Sequence, residues 1–206
     1  MLKVKIKKKL DDILINKEWE VDAGEVISLF GPSGSGKSVT INTIAGLINP
    51  DSGHIEIDNR VVYDKEKNIC LPPKDRGVGY VPQNFGLFPH MNVMENIMYG
   101  IKGKDRELKI QKTMDYLKLV GLENKKEKFP EELSGGQKQR IALLRALATN
   151  PKVLLLDEPF SALDINVKEK LRKEIKKFLT YWTIPVVLVT HDPRDVEVLA
   201  SKIVYY

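Results

Sequence analysis

The chain has 206 residues, 42% of them hydrophobic and 30% charged, with a formal net charge of +5 and one cysteine. That composition suits one soluble globular domain, or one core with a sizeable insertion. It excludes a membrane span, because no apolar run is long enough. No secretory leader is expected at residues 1–10, because no apolar stretch follows their basic start, and a single thiol cannot close an intrachain disulfide, so a reducing cytoplasmic setting is expected.

Residues 2–7 alternate apolar and Lys, which predicts a strand with one wet face, and Lys on an edge strand also discourages edge pairing. The positive charge is therefore assigned to a solvated face, and no nucleic-acid partner is expected. A second strand is predicted at 13–21, turning at Asp22-Ala23-Gly24. The continuous apolar run 26–30 reads as a buried parallel strand. A helix is predicted over 39–47, stopped by Asn49-Pro50-Asp51-Ser52-Gly53. Ile55-Glu56-Ile57 and Val61-Val62-Tyr63 flank Asp58-Asn59-Arg60 and predict a hairpin. Cys70, with no base beside it, is expected to be a buried or half-buried inert thiol. Another short strand is predicted at 78–81.

The texture then becomes helical from about 87 to 149. Ile110, Met114, Leu117 and Val120 fall on one helical face, and Gly121 supplies a stop. A further helix follows Ser134, with Ile141, Leu144 and Ala148 on one stripe, and ends at Asn150-Pro151. Beyond lie a strand at 153–156, a helix at 167–179, a strand at 186–190 and a helix opened by Asp192-Pro193. The fold class expected is α/β: residues 1–86 and 151–206 form a nucleotide-binding core with an N-terminal antiparallel β-subdomain, and 87–150 an inserted helical subdomain. The last residues, 201–206, read as a strand just begun, so a shortened chain is expected.

Gly31-Pro32-Ser33-Gly34-Ser35-Gly36-Lys37-Ser38, leading into Val39, matches the phosphate-loop pattern between a predicted strand and a predicted helix. Glycines let successive backbone N–H groups turn toward phosphate oxygens, and the helix start adds its positive end. Lys37 is expected to reach the β- and γ-phosphates, and the Ser38 hydroxyl to ligate Mg²⁺. Val153-Leu154-Leu155-Leu156-Asp157-Glu158 is a buried strand that ends in two carboxylates at the same sheet edge. Asp157 would hold Mg²⁺, through water, and Glu158 would act as general base for the attacking water. Ser134-Gly135-Gly136-Gln137 opens a helix with free amides and a small hydroxyl, a second phosphate-binding device. One ATP does not need two such devices from one chain. The expectation is therefore a head-to-tail homodimer, with each nucleotide trapped between the 31–38 loop of one copy and the 134–137 turn of the other.

At these residues the chain resembles the ATP-binding cassette ATPases, with a phosphate-loop fold, over about residues 2–204. The resemblance adds Gln83 in Tyr80-Val81-Pro82-Gln83, Ser161-Ala162-Leu163-Asp164, and His191 in Leu188-Val189-Thr190-His191-Asp192. It implies that Gln83 senses Mg²⁺ and water and links to a membrane partner, that His191 contacts the γ-phosphate, and that Asp164 lies at the dimer seam. His54 and His90 receive no role. The stretch 60–90, with Arg76-Gly77-Val78-Gly79 and Leu87-Phe88-Pro89-His90, is similar to the importer branch and in particular to ATPases of molybdate and tungstate importers. Sulfate, polyamine, sugar and iron importers carry related segments and stay open as alternatives. So do a cassette ATPase without a transport role, a non-hydrolysing regulatory subunit and a phosphate-loop kinase. The resemblance further implies a polytopic membrane permease, indirectly an extracytoplasmic substrate-binding protein, and a peripheral position on the cytoplasmic face of the membrane. Two departures stand out. Lys8-Lys9-Leu10-Asp11-Asp12 lacks the aromatic residue that most of the family stacks on adenine, leaving Leu10 as the apolar candidate. The regulatory domain that many importer ATPases carry beyond this point is expected to be missing, and oxyanion sensing with it.

Overall fold

The structure is a computed structural model that describes residues 1–10, 13–161, 163–179 and 181–206. Ten strands and six α-helices follow one another among the described residues. They are β1 (Leu2–Leu10), β2 (Ile13–Val21), β3 (Val26–Phe30), α1 (Lys37–Ala45), β4 (Ser52–Ile57), β5 (Arg60–Asp64), β6 (Ile69–Cys70), β7 (Val78–Val81), α2 (Val93–Gly100), α3 (Arg106–Leu119), α4 (Gly135–Ala148), β8 (Val153–Asp157), α5 (Ile165–Leu179), β9 (Val186–Thr190), α6 (Pro193–Leu199) and β10 (Lys202–Tyr205). The strands form two sheets. One is antiparallel in the order β2-β1-β4-β5-β6, and the other is parallel in the order β10-β3-β9-β8-β7. This is the α/β architecture expected.

The parallel strands are aliphatic on both faces because both faces are covered. Their period-two alternation divides the molecule into two cores. Ile27, Leu29, Val153, Leu155, Val187 and Val189 pack with Ile41 and Ile44 of α1 and with Leu2, Val4, Ile6 and Ile55 of the antiparallel sheet. Leu154, Leu156, Val186 and Leu188 face the other way, against Ile97 of α2, Leu117 of α3, Ile141 and Leu144 of α4, and Leu171 and Ile175 of α5. Truncating one of these side chains to Ala removes about 2–5 kcal/mol.

Several expectations are corrected. Strand β1 is not an edge strand; it lies between β2 and β4. Its lysines do face outward, but cross-strand acids meet them: Lys3 lies 3.2 Å from Glu56 and Lys5 2.9 Å from Glu18. Period-two patterning reports which face is wet, not which strands lie beside it. Cys70 is exposed, not buried, on the short strand β6, its thiol 3.4 Å from Asn49 Oδ1. On α3 the buried positions are Thr113 and Leu117, with Met114, Tyr116 and Val120 packed at the margin, whereas Ile110 is exposed. Helix α1 begins at Lys37 and ends before Gly46, which takes φ +82° and returns its N–H to Thr43 and Asn42 carbonyls. That left-handed residue ends the helix ahead of the Asn-Pro stop. Helix α5 starts at Ile165 rather than 167, and β8 extends to Asp157.

The end of α1 shows how the 60–90 stretch is tied to the core. The buried Arg76 donates from Nη1 to the carbonyls of Thr43 (2.9 Å) and Ile44 (3.2 Å), and from Nε to Leu71 O (2.8 Å). It thus closes the carbonyl end of the helix whose other end carries the phosphate-loop lysine. A Cβ on Gly46 would lie 2.5 Å from Arg76 Nε, so only glycine fits there. Arg76→Met should strand these carbonyls at a cost of about 2 kcal/mol. For a chain of this size that lowers the thermal midpoint by roughly 4–8 °C, measurable by calorimetry; an unchanged midpoint would show that the helix end does not need the guanidinium.

Candidate functional site

Parallel register brings four strand ends to one edge. Phe30 of β3 lies opposite Thr190 of β9, Val189 opposite Asp157 of β8, and Leu156 opposite Val81 of β7. The residues that follow are therefore neighbours: Gly31 and its loop, His191, Glu158, and Pro82-Gln83. Ligands of open α/β sheets gather at this edge.

In the loop, Gly34 and Gly36 take φ +82° and +97°. A Cβ on Gly36 would lie 2.7 Å from Ile15 Cδ1, so the loop lies directly on β2. Gly36 precedes α1 without offering a side-chain cap, and no acid sits in the first turn. The amides at that helix start are left for an anion. The Lys37 side chain, 4% exposed, folds back over the loop, donating to Gly31 O (2.8 Å) and Pro32 O (2.6 Å) and approaching Ser35 Oγ (3.4 Å). Burial pulls its ammonium pKa down, while Glu158 and Asp157 push it back up.

Asp157 is buried and accepts two hydroxyls, Ser38 Oγ at 3.1 Å on one oxygen and Tyr80 Oη at 3.3 Å on the other. Burial pushes its carboxyl above the usual range, and these two hydrogen bonds oppose that shift. The same burial, with the neighbouring carboxylate, raises the Tyr80 phenol far above its ordinary value. Glu158 has φ +44°, a left-handed conformation that a long side chain adopts at a cost. Its N–H donates to Val189 O (2.9 Å), and the Ser161 hydroxyl donates to its carbonyl (2.9 Å). So turned, the carboxylate pairs with His191 Nδ1 at 3.0 Å through Oε1 and accepts from Gln83 Nε2 at 3.3 Å through Oε2.

A cleft of about 320 Å³ is lined by Ser33, Gly34, Gly36, Lys37, Ser38, Val39, Gln83 and Glu158, with Leu10 and Ile13 at its apolar side. A second hollow of about 600 Å³, lined by Pro82, Gln83, Asn84, Asp157 and Ser161, shares Gln83 with it. Hydroxyl, carboxylate and amide oxygens are the donor set a hard divalent cation takes, and Ser38, Asp157 and Gln83 supply them. The residues fit Mg²⁺ held together with phosphate oxygens.

Ser134-Gly135-Gly136-Gln137 is not brought to this cleft; none of the lining residues comes from it. It opens α4 in a capping box: Ser134 Oγ accepts from Gln137 N at 3.4 Å, and Gln137 Oε1 accepts from Ser134 N at 2.9 Å. Ser134 is exposed, and so is Asp164, at the start of α5. The expectations that fall on Asp11, Asp12 and Ala162 lie outside the described residues.

The model of the ABC transporter family matches residues 14–161, which take in the phosphate loop, Gln83, the 134–137 turn and the Asp157-Glu158 pair. The chain belongs to the ABC transporter family. This cassette is 41% identical over 204 residues to the molybdenum import ATP-binding protein ModC of Pasteurella multocida, an alignment covering 99% of the chain and 57% of that protein. It is also 41% identical over 189 residues to a sulfate/thiosulfate import ATP-binding protein of Agrobacterium fabrum, covering 90% of the chain and 54% of the relative. The chain thus spans little more than half the length of these curated relatives. A solved dimeric ATP-binding cassette in a post-hydrolysis state, bound to ADP and Pi, superimposes with a TM-score of 0.80 at 34% identity, covering 100% of this chain and 94% of that one.

Three participants in the cassette's cleft escape a reading of its sequence. Ile13 lines the apolar side, signalled only as the first residue of a strand. Tyr80 reaches Asp157 from the adjacent strand, which becomes apparent only with the β7–β8 pairing. The left-handed backbone of Glu158 has no local signal, because the residue is neither Gly, Asn nor Asp.

Proposed function

We propose that this cassette is the Mg²⁺-dependent ATP-hydrolysing subunit of an importer, acting as a head-to-tail homodimer beneath a polytopic membrane permease, with molybdate or tungstate as cargo. The observation that carries the reading is the Glu158 carboxylate, held between His191 and Gln83 on the cleft that the phosphate loop lines.

In this reading the phosphates lie against residues 31–38, and Val39 continues the helix behind them. Lys37 exchanges the Gly31 and Pro32 carbonyls for β- and γ-phosphate oxygens. Ser38, Asp157 and Gln83 are the residues that hold Mg²⁺. Bound there, Mg²⁺ would neutralise negative charge on the phosphate groups. Glu158 takes the proton of the attacking water, and His191 contacts the γ-phosphate and orients the attacking water. Loop amides and Lys37 stabilise the charge that develops. Ser134, Gly135, Gly136 and Gln137 of the partner copy close over the same γ-phosphate, with Asp164 at the seam. The absence of the 134–137 turn from its own chain's cleft supports this arrangement.

The stretch 83–99 starts at the site with Gln83 and Asn84, leads away from it, and suits contact with the permease. The buried Asn96 staples the 88–92 loop by donating to the carbonyls of Phe88 (3.1 Å), Met91 (2.9 Å) and Asn92 (3.0 Å). A groove of about 410 Å³ beside it is lined by His90, Met91, Glu95, Met98, Tyr99 and Lys109. The permease places the cassette at the cytoplasmic face of the membrane, and an extracytoplasmic binding protein acts one step further away. For the cargo, ModC relatives align over 99% of the chain and the sulfate/thiosulfate relative over 90%. The near-equal identities make sulfate the second reading.

Glu158→Gln should lower the turnover number at least about 100-fold and leave ATP affinity within a few-fold, read by phosphate release and fluorescent-nucleotide titration; wild-type turnover in this variant removes Glu158 as the base. Ser134→Arg should block hydrolysis without blocking nucleotide binding, and mixing it with Lys37→Ala chains should restore one working site, and at most one, in each mixed dimer. A mixture as inert as either variant alone contradicts the shared site. Leu10 and Ile13 offer the base apolar surface without an aromatic face, so ATP and GTP should compete with similar affinity. Leu10→Tyr should then tighten ATP several-fold, on the order of 1 kcal/mol of stacking; strong ATP preference in the unaltered protein would show that other groups read the base.

A further inference from the structure

A single guanidinium stands behind both members of the Glu158–His191 pair. Arg172 projects from the middle of α5 and is 3% exposed. Its Nη2 lies 2.5 Å from Asp192 Oδ2 and its Nε 2.6 Å from Asp195 Oδ1. These acids belong to the segment that carries His191. The other oxygen of Asp195 accepts from Thr190 Oγ1 at 2.5 Å, and that hydroxyl in turn accepts from the Asp192 N–H at 3.0 Å. The contacts close a ring, Arg172–Asp195–Thr190–Asp192–Arg172, around the backbone of His191. The imidazole stays outside it, 51% exposed, and reaches Glu158.

The same guanidinium lies 5.7 Å from the ring centre of Phe160, which is buried and sits two residues beyond Glu158. One planar cation therefore braces the chain on both sides of the pair: the turn after Glu158 through an aromatic face, the turn around His191 through two carboxylates. Burying this charge is expensive, and the fork geometry offsets the cost only while both acids are engaged. Burial drives the Asp195 carboxyl above its usual range against the pull of Thr190 and Arg172. At Asp192 burial acts in the same upward sense, but the Arg194 amide and the Arg172 charge outweigh it and hold that carboxyl below its usual range.

We propose that Arg172 is a positioning residue for hydrolysis, setting the geometry between Glu158 and His191 by anchoring both of their backbone segments to α5. Helix α5 begins one residue after Asp164, so the brace also joins the proposed dimer seam to the hydrolytic pair. The proposal rests on the reading of Glu158 and His191 as that pair, but its main readout does not involve turnover.

The chain has three histidines, His54, His90 and His191. Imidazole ¹H–¹³C signals in the nucleotide-free protein, assigned by single replacements, therefore report on His191 against two internal references. Arg172→Lys keeps the charge but cannot span both acids. It should shift or broaden the His191 signals while those of His54 and His90 hold. It should also lower kcat tenfold or more while the dissociation constant for ATP, measured in EDTA, stays within twofold. Asp192→Asn keeps the helix cap and opens only the half-exposed arm of the fork, so it should give the same pattern, weaker, even where the lysine variant does not fold. Unchanged His191 signals in both variants overturn the proposal, whatever happens to kcat. Equal movement of all three histidines overturns it as well, since that marks a general loosening. If Glu158→Gln retained turnover while Arg172→Lys still moved His191 alone, the hydrolytic reading would fail and the brace would stand.

Discussion

The pairing of β7, β8, β9 and β3 in one parallel register is the constraint on which the rest depends. Four segments that are distant in sequence end at the same edge, so a glycine loop, a carboxylate pair, an imidazole and an amide become neighbours without any of them being close along the chain. The same pairing places the aliphatic faces of the strands in two separate cores, one under α1 and one under the helices. Apolar burial at roughly 25 cal/mol per Å² of surface is the dominant favourable term, and it is indifferent to chemistry. What makes the edge a site is what the strands give way to there: the glycine loop after β3, Asp157 and Glu158 at the end of β8, His191 after β9 and Pro82-Gln83 after β7.

Charge is then managed locally. Lys37 is folded onto its own loop carbonyls, Asp157 is satisfied by two hydroxyls, and Glu158 is turned outward by a left-handed backbone toward His191 and Gln83. Lys37 and Asp157 are paired with neutral carbonyls and hydroxyls, which phosphate oxygens or a cation could replace with partners of opposite charge. Arg172 and Arg76 differ. They are buried cations that close helix-to-strand junctions, and their partners are fixed parts of the fold.

What could be read in advance follows from the physical range of each signal. The loop 31–38 and the run 153–158 are local patterns, and the strands and helices that flank them were expected within a few residues, with the α/β class. Strand order is not a local property. The Lys alternation of β1 named its wet face but suggested an edge, whereas two neighbours flank it. Helical spacing put Ile110 on the packed face of α3, yet the partner elements do not reach that far and it stays exposed. Nothing local to Cys70 tells which way its side chain faces, and the two-residue strand that holds it leaves the thiol exposed. Tyr80, Ile13 and Arg172 act through contacts across 77, more than 20 and 20 or so positions along the chain, where no periodicity carries information.

Shared ownership of each nucleotide separates this account from a cassette that works alone. The 31–38 loop and the 134–137 turn lie on surfaces of one chain that do not line a common cleft, and the proposal joins them across two chains. ATP turnover per protomer, measured over a wide dilution series with sedimentation of the same samples, tests this most directly. The account predicts that specific activity falls as dimers dissociate and tends to zero in the monomer. Full specific activity at dilutions where only monomers sediment would contradict it.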